Sequence, residues 1–169
     1  MQYEIIYSDR KTVNISIKDG NVIIKAPKKM KKEELLKIVE KHRDWILRAF
    51  EREKEKREKY ESLDDAQIKA LKKAARIYLT ERCEYFSNLM GLKYNRITIT
   101  SAKTRFGACS SAKNISFSYR LMLYPESARE YVVVHELAHL KEMNHSKKFY
   151  EIIEKYLPDY KKRKKLLKQ

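Results

Sequence analysis

Short alternating runs open the chain. Gln2 to Ser8 reads as a strand, and Thr12 to Lys18 alternates with Val13, Ile15 and Ile17 on one face. Asp19-Gly20-Asn21 is a turn signal and Val22 to Ala26 the returning strand, so the pattern predicts an N-terminal β-hairpin closed by Pro27. The period then lengthens. Leu35, Leu36, Val39, Trp45, Ile46 and Phe50 form the apolar stripe of a helix, which Glu51 to Lys59 (EREKEKREK) continues as a solvated stretch of mixed charge. An unbroken helix from Lys31 to Leu89 would be too long for this chain. Ser62-Leu63-Asp64-Asp65 supplies the break: Ser62 with Asp65 resembles a capping box, and Asp64 or Asp65 suits a helix start. The next helix is expected to run to about Leu89, to bury Leu71, Ala74, Ala75, Tyr78 and Leu79, and to end at Gly91.

The second half repeats the change of period. Arg96 to Ser101 reads as a strand, and Ala102 to Ser111 as a loop holding Arg105, Gly107 and Cys109. Asn114 to Leu121 alternates again, with Ile115, Phe117, Tyr119 and Leu121 on one face. Pro125 fits the first position of a helix that runs through Tyr131 to Val134 and on to about Met143. A last helix takes Ser146 to Tyr156, and a basic tail follows. These elements predict an α+β fold, a small mixed β-sheet packed on a helix, within a single domain over 1–169. The N-terminal strands and first helix fall in 1–60, and the remaining strands and helices, with the candidate chemistry, in 61–169.

Composition narrows the class. Of 169 residues, 43% are apolar, enough for a core, and no run of about eighteen apolar residues suggests a membrane span. Residues 1–30 lack the apolar stretch of a signal peptide, and the two cysteines, Cys83 and Cys109, form no disulfide framework. A cytoplasmic protein is expected. The net charge of +16 attracts polyanions, so weak, non-specific nucleic-acid binding is an expectation, carried most by Lys161, Lys162, Arg163, Lys164, Lys165 and Lys168. A merely solvated lysine surface is the competing reading.

The chemistry sits in HELAHLKEMNH, residues 135–145, where three of the chain's four histidines fall. His135 and His139, four apart on a helix, project from one face one turn apart and can share a metal ion. Glu136, beside the first of them, is placed to act on a water as general base rather than to ligate. His145 is six residues past His139, about 240° round a continued helix. The helix must therefore stop between them, with Asn144 the best residue for a left-handed exit and Ser146 the N-cap of the last helix. Three histidines leave a coordination position open, as a catalytic zinc site requires.

The stretch TRFGACSSAKNISFSYRLMLYPESAREYVVVHELAHLKEMNHSKKFY, together with DRKTVNISIKDGNVIIKAPKKMKKEELLKIVEKHRDWI, resembles the YgjP-like metallopeptidase family, whose distant kin include SprT-like and WLM proteins. The resemblance implies a zincin-like fold with a sheet beside the active-site helix. It also implies one zinc ion on His135, His139 and His145, with Glu136 catalytic. Phe106-Gly107-Ala108-Cys109 stands where the family usually carries Trp-Gly-Ser-Cys, and Phe149-Tyr150 where Phe-Trp is usual.

The expected function is zinc-dependent hydrolysis of peptide bonds. Arg105 and Tyr119 are candidates to meet an oxyanion or a substrate carboxylate, and Cys109 is expected to be a packed small residue. Asn114 to Leu121 resembles the edge strand on which zincins hold extended substrate. Two other readings compete: a metal-dependent nucleotide or phosphoanhydride hydrolase using the same residues, and a basic nucleic-acid-associated binding protein.

Overall fold

The protein is described by a computed structural model over residues 3–18 and 20–167. Gln2 and Asp19, read above as strand and turn, and Lys168 of the tail lie outside the described residues. Two compact units share the chain, Met1–Leu63 and Asp64–Gln169.

In the first unit, β2 (Asn14–Lys18) and β3 (Asn21–Pro27) form the expected antiparallel hairpin, with Ile15 opposite Ile24 and Ile17 opposite Val22. β1 (Tyr3–Ser8) lies along the other side of β3, in parallel. Val22, Ile24 and Ala26 alternate onto one buried face. There they meet Leu35 and Val39 of α1 (Lys32–Lys41) and Ile46 of α2 (Arg43–Glu61). The expected single helix is interrupted at His42, whose backbone (φ −104°, ψ 11°) leaves the helical region. The interruption resets the buried face: Ile46 joins the core while Leu36 and Trp45, both read as part of one stripe, stay 45% exposed. The His42 side chain makes no capping bond at the start of α2, so no N-cap residue type marks the break.

The second unit opens with α3 (Asp65–Met90). Its capping box uses Asp64 and Gln67: the Gln67 N–H donates to Asp64 Oδ1 at 2.7 Å, and the Asp64 N–H to Gln67 Oε1 at 2.9 Å. Gly91, at φ 64°, ψ 36°, ends the helix in the left-handed conformation that glycine adopts without strain. The buried stripe runs Ala75, Leu79, Cys83, Phe86, Met90, a spacing of three and four that leaves Ala74 exposed, contrary to expectation.

A three-stranded sheet follows, made of β4 (Arg96–Thr100), β5 (Gly107–Cys109) and β6 (Asn114–Ser118) in the order β4-β6-β5. β4 runs parallel to β6 and β5 antiparallel, so the sheet is mixed. β6 is therefore the central strand, not the edge expected of Asn114 to Leu121. It also stops at Ser118, whose hydroxyl accepts from the Arg120 N–H and turns the chain into a 3-10 turn over Tyr119–Leu123.

After Pro125, α4 (Glu126–Ala138) runs against α3 and β5, burying Ala128, Tyr131 to Val134 and Glu136 to Ala138. α5 (Lys147–Tyr156) and α6 (Tyr160–Leu166) pack back on it. Glu130 of α4 holds Arg82 of α3 and, at 2.7 Å, Arg163 of α6, which also reaches Asp159 at 2.7 Å. No described helix is long and apolar enough to cross a membrane.

Candidate metal centre

α4 ends one turn sooner than the sequence pattern suggests. Its last helical residue is Ala138, and His139 is the C-cap (φ −63°, ψ −19°). Asn144 does not take the left-handed conformation expected of it; among the described non-glycine residues only Lys113 has positive φ. The chain instead turns over 139–142 through hydrogen bonds from the N–H groups of Leu140 and Lys141 to the carbonyls of Leu137 and Ala138. Ser146 caps α5 as expected, its hydroxyl accepting from the Phe149 N–H at 3.4 Å. This connection returns His145 to the face of α4 that carries His135 and His139.

The three imidazoles offer nitrogens that all lie within 4.8 Å of one another, and Nε2 of His135 is 3.1 Å from Nε2 of His145. Two nitrogens on one tetrahedral zinc, at about 2.0–2.1 Å each, stand about 3.3 Å apart, so the donor set fits a shared ion. The remote nitrogens of His135 and His139 are engaged elsewhere. His139 Nδ1 lies 3.1 Å from the Glu142 carbonyl, which can only accept, so that nitrogen carries the proton and Nε2 is left available to a metal. His135 Nδ1 lies 3.4 Å from the Tyr131 hydroxyl. Burial, then the neighbouring His139, His145 and Lys164, pushes His135 down to about 3. Burial also lowers His139. Both rings are thus held neutral, the form that binds metal.

Phe149, fully buried, forms the floor. Its ring centroid is 4.9 Å from that of His135, 4.5 Å from His139 and 4.8 Å from His145. A side chain touching all three rings limits how far any can swing.

The Glu136 carboxyl group packs against Gly107 of β5. Glu136 is 5% exposed, and burial pushes its carboxyl up to about 8, against the opposing pull of Arg105. Its seat exists because residue 107 is glycine: a Cβ there would stand 2.5 Å from Glu136 Oε1 and 2.8 Å from Cδ. A carboxyl group with its pKa near neutrality can both take and return a proton.

Of the other expected site residues, Arg105 is exposed just before β5 and acts on Glu136 through its charge. Tyr119 is buried in the 3-10 turn with Lys72 of α3 and Arg120 over its ring, at 5.7 and 5.9 Å from the centroid, because the strand that was to carry it ends at Ser118. Cys109 is half-buried in β5, its thiol pushed up by burial and by the charge of Glu136. Tyr131, Phe149, Gly107 and the Glu142 carbonyl were given no role at the site from the sequence. Gly107 and Phe149 carried a signal, since both lie in the segments that resemble the family pattern.

A model of the YgjP-like metallopeptidase domain matches residues 11–67 and 50–169. Among solved structures, the metallopeptidase zymogen of Pyrococcus abyssi abylysin is similar over 53% of this chain and 90% of its own, at 23% identity and a TM-score of 0.49. No curated protein matches the chain.

Proposed function

The chain belongs to the YgjP-like metallopeptidase family and is a metal-dependent hydrolase, and from that premise we propose that it cleaves peptide bonds with one zinc ion on His135, His139 and His145 and with Glu136 as general base. The observation that carries this reading is that His135 of α4, His139 at its end and His145 in the connection to α5 bring ligand nitrogens within 4.8 Å of one another, beside a buried glutamate on α4.

Zinc bound by these residues would polarise a scissile carbonyl and make a water acidic enough to give up a proton near neutral pH. Glu136 receives that proton on a carboxylate oxygen and delivers it to the amine nitrogen as the peptide bond breaks, so the carboxylate is regenerated. Any positive charge brought beside Glu136 favours its ionised form, the one needed to start the cycle. His135 and His139 stay in register because Tyr131 and the Glu142 carbonyl engage their Nδ1 atoms.

β5 supports an extended substrate. It pairs with β6 on one side only, and Gly107 within it faces Glu136. A peptide adding to its outer edge would bond through its backbone, which gives affinity with mild side-chain preference. Arg105, exposed just before β5, would meet a substrate carbonyl or carboxylate.

The test is peptide hydrolysis by the zinc-loaded protein, with Glu136→Gln beside it. The amide cannot accept a proton, so this variant should keep its zinc and lose turnover by about 10³-fold or more. Near wild-type turnover in Glu136→Gln would end the general-base assignment.

A further inference from the structure

α5 and α6 leave a hollow of about 420 Å³ lined by Tyr150, Tyr160, Lys161, Lys164 and Lys165. It lies one ring from the histidine cluster. The Tyr150 ring is nearly parallel to that of His145, 6.3 Å between centroids, and to that of Tyr160 at 5.9 Å. Lys164 Nζ stands 5.4 Å above the Tyr150 ring and Lys161 Nζ 5.7 Å above that of Tyr160.

The hollow has three ammonium groups and no acid in its lining. Of the acids on the neighbouring elements, Asp159 is paired with Arg163, Glu130 with Arg82 and Arg163, and Glu151 with Lys147, while Glu154 of α5 is exposed and outside the lining. Among the described residues none of the three lysines has an ion-pair partner. Two of the ammoniums are steadied over tyrosine rings, so less side-chain freedom is lost when an anion binds. A carboxylate entering here would accept charge-assisted hydrogen bonds beside aromatic walls that displace water.

The shape argues against a nucleic-acid track. Such a groove follows several phosphates and offers open aromatic faces to bases. Here Tyr160 is 8% exposed and stacks on Tyr131 and Tyr150, while Tyr150 lies between Tyr160 and His145. An extended peptide advances about 3.3 Å per residue, so a hollow this near His145 serves a residue within about three of the scissile bond.

Resting on the peptidase reading, we propose that this hollow is a specificity subsite for a carboxylate of the peptide substrate, supplied by an Asp or Glu side chain near the scissile bond or by the substrate's own C-terminus.

The test reads binding, apart from turnover. Zinc-loaded, full-length protein carrying Glu136→Gln is titrated into fluorescein-labelled hexapeptides. These differ only by Glu for Gln at one scanned position, or by a free acid for an amide at the C-terminus. In low salt, at least one Glu-for-Gln or acid-for-amide exchange should tighten binding about tenfold; which arm does so identifies the source of the carboxylate. Lys164→Ala should bring that ratio to within about twofold. Lys73→Ala, which removes the same charge from the exposed side of α3, should leave it standing. Equal affinities across all the pairs would overturn the proposal, as would loss of the preference in Lys73→Ala as complete as in Lys164→Ala. So would a thymidine hexanucleotide that binds more tightly than every acidic peptide and depends on Lys164. Lys164-dependent binding of acidic peptides that the wild-type protein cleaves nowhere would uphold the subsite and sink the peptidase reading instead.

Discussion

Gly107 has no Cβ, and Glu136 uses the space one would take. Gly107→Ala should therefore displace the carboxylate while leaving the histidines alone. A misplacement of about 1 Å at a reacting group costs on the order of 10²-fold. The variant should keep zinc, stay folded and lose about that much in kcat/KM for a peptide, measured beside its metal content; activity within a few-fold of wild type would mean that Glu136 needs no fixed seat. Tyr131→Phe removes the hydroxyl beside His135 Nδ1, and loss of such a partner weakens metal by about 10–100-fold, which competition with a chromophoric chelator would measure. The grouping of the three histidines was legible because a site for one ion would demand a spacing that a linear sequence displays. Tyr131 and Phe149 were not. Each is an ordinary aromatic until the fold brings it to the cluster, Tyr131 one turn before His135 and Phe149 on a separate helix.

At the scale of elements, the hairpin, the long α3 and its glycine exit were readable from period and punctuation. The errors have physical causes. β6 alternates through Leu121, yet Ser118 turns the chain by bonding its own backbone two residues on, a local competition that alternation cannot reveal. Its central place in the sheet depends on β5, three residues long and too short to leave a pattern. α4 closes at His139 without glycine or a left-handed residue, so Asn144 was a misleading signal. The cap on α5 carries a prediction. Ser146→Ala removes the acceptor for the Phe149 N–H and should cost about 1 kcal/mol, a fall in Tm of roughly 2–4 °C in metal-free protein. Because His145 immediately precedes the cap, zinc affinity should fall as well. An unchanged affinity would show that the connection is held by Phe149 packing alone.

For the molecule as a whole, the charge of +16 is uneven in its use. Arg82 and Arg163 are drawn inward to Glu130 and tie α3, α4 and α6 together. Glu130→Ala would leave two partly buried guanidiniums facing each other and should lower stability by about 1–3 kcal/mol, read by denaturant unfolding. A loss under about 0.5 kcal/mol would mark the network as solvated surface. α6 would be the first element released, and with it the lysines that line the hollow beside His145. Everything argued for function depends on one centre, and zinc K-edge X-ray absorption of the loaded protein observes it directly. Three imidazole nitrogens and one further light ligand are expected at about 2.0–2.1 Å, with no sulfur. A sulfur at about 2.3 Å, which would bring Cys109 or Cys83 into the site, or fewer than three imidazoles, would contradict the three-histidine centre.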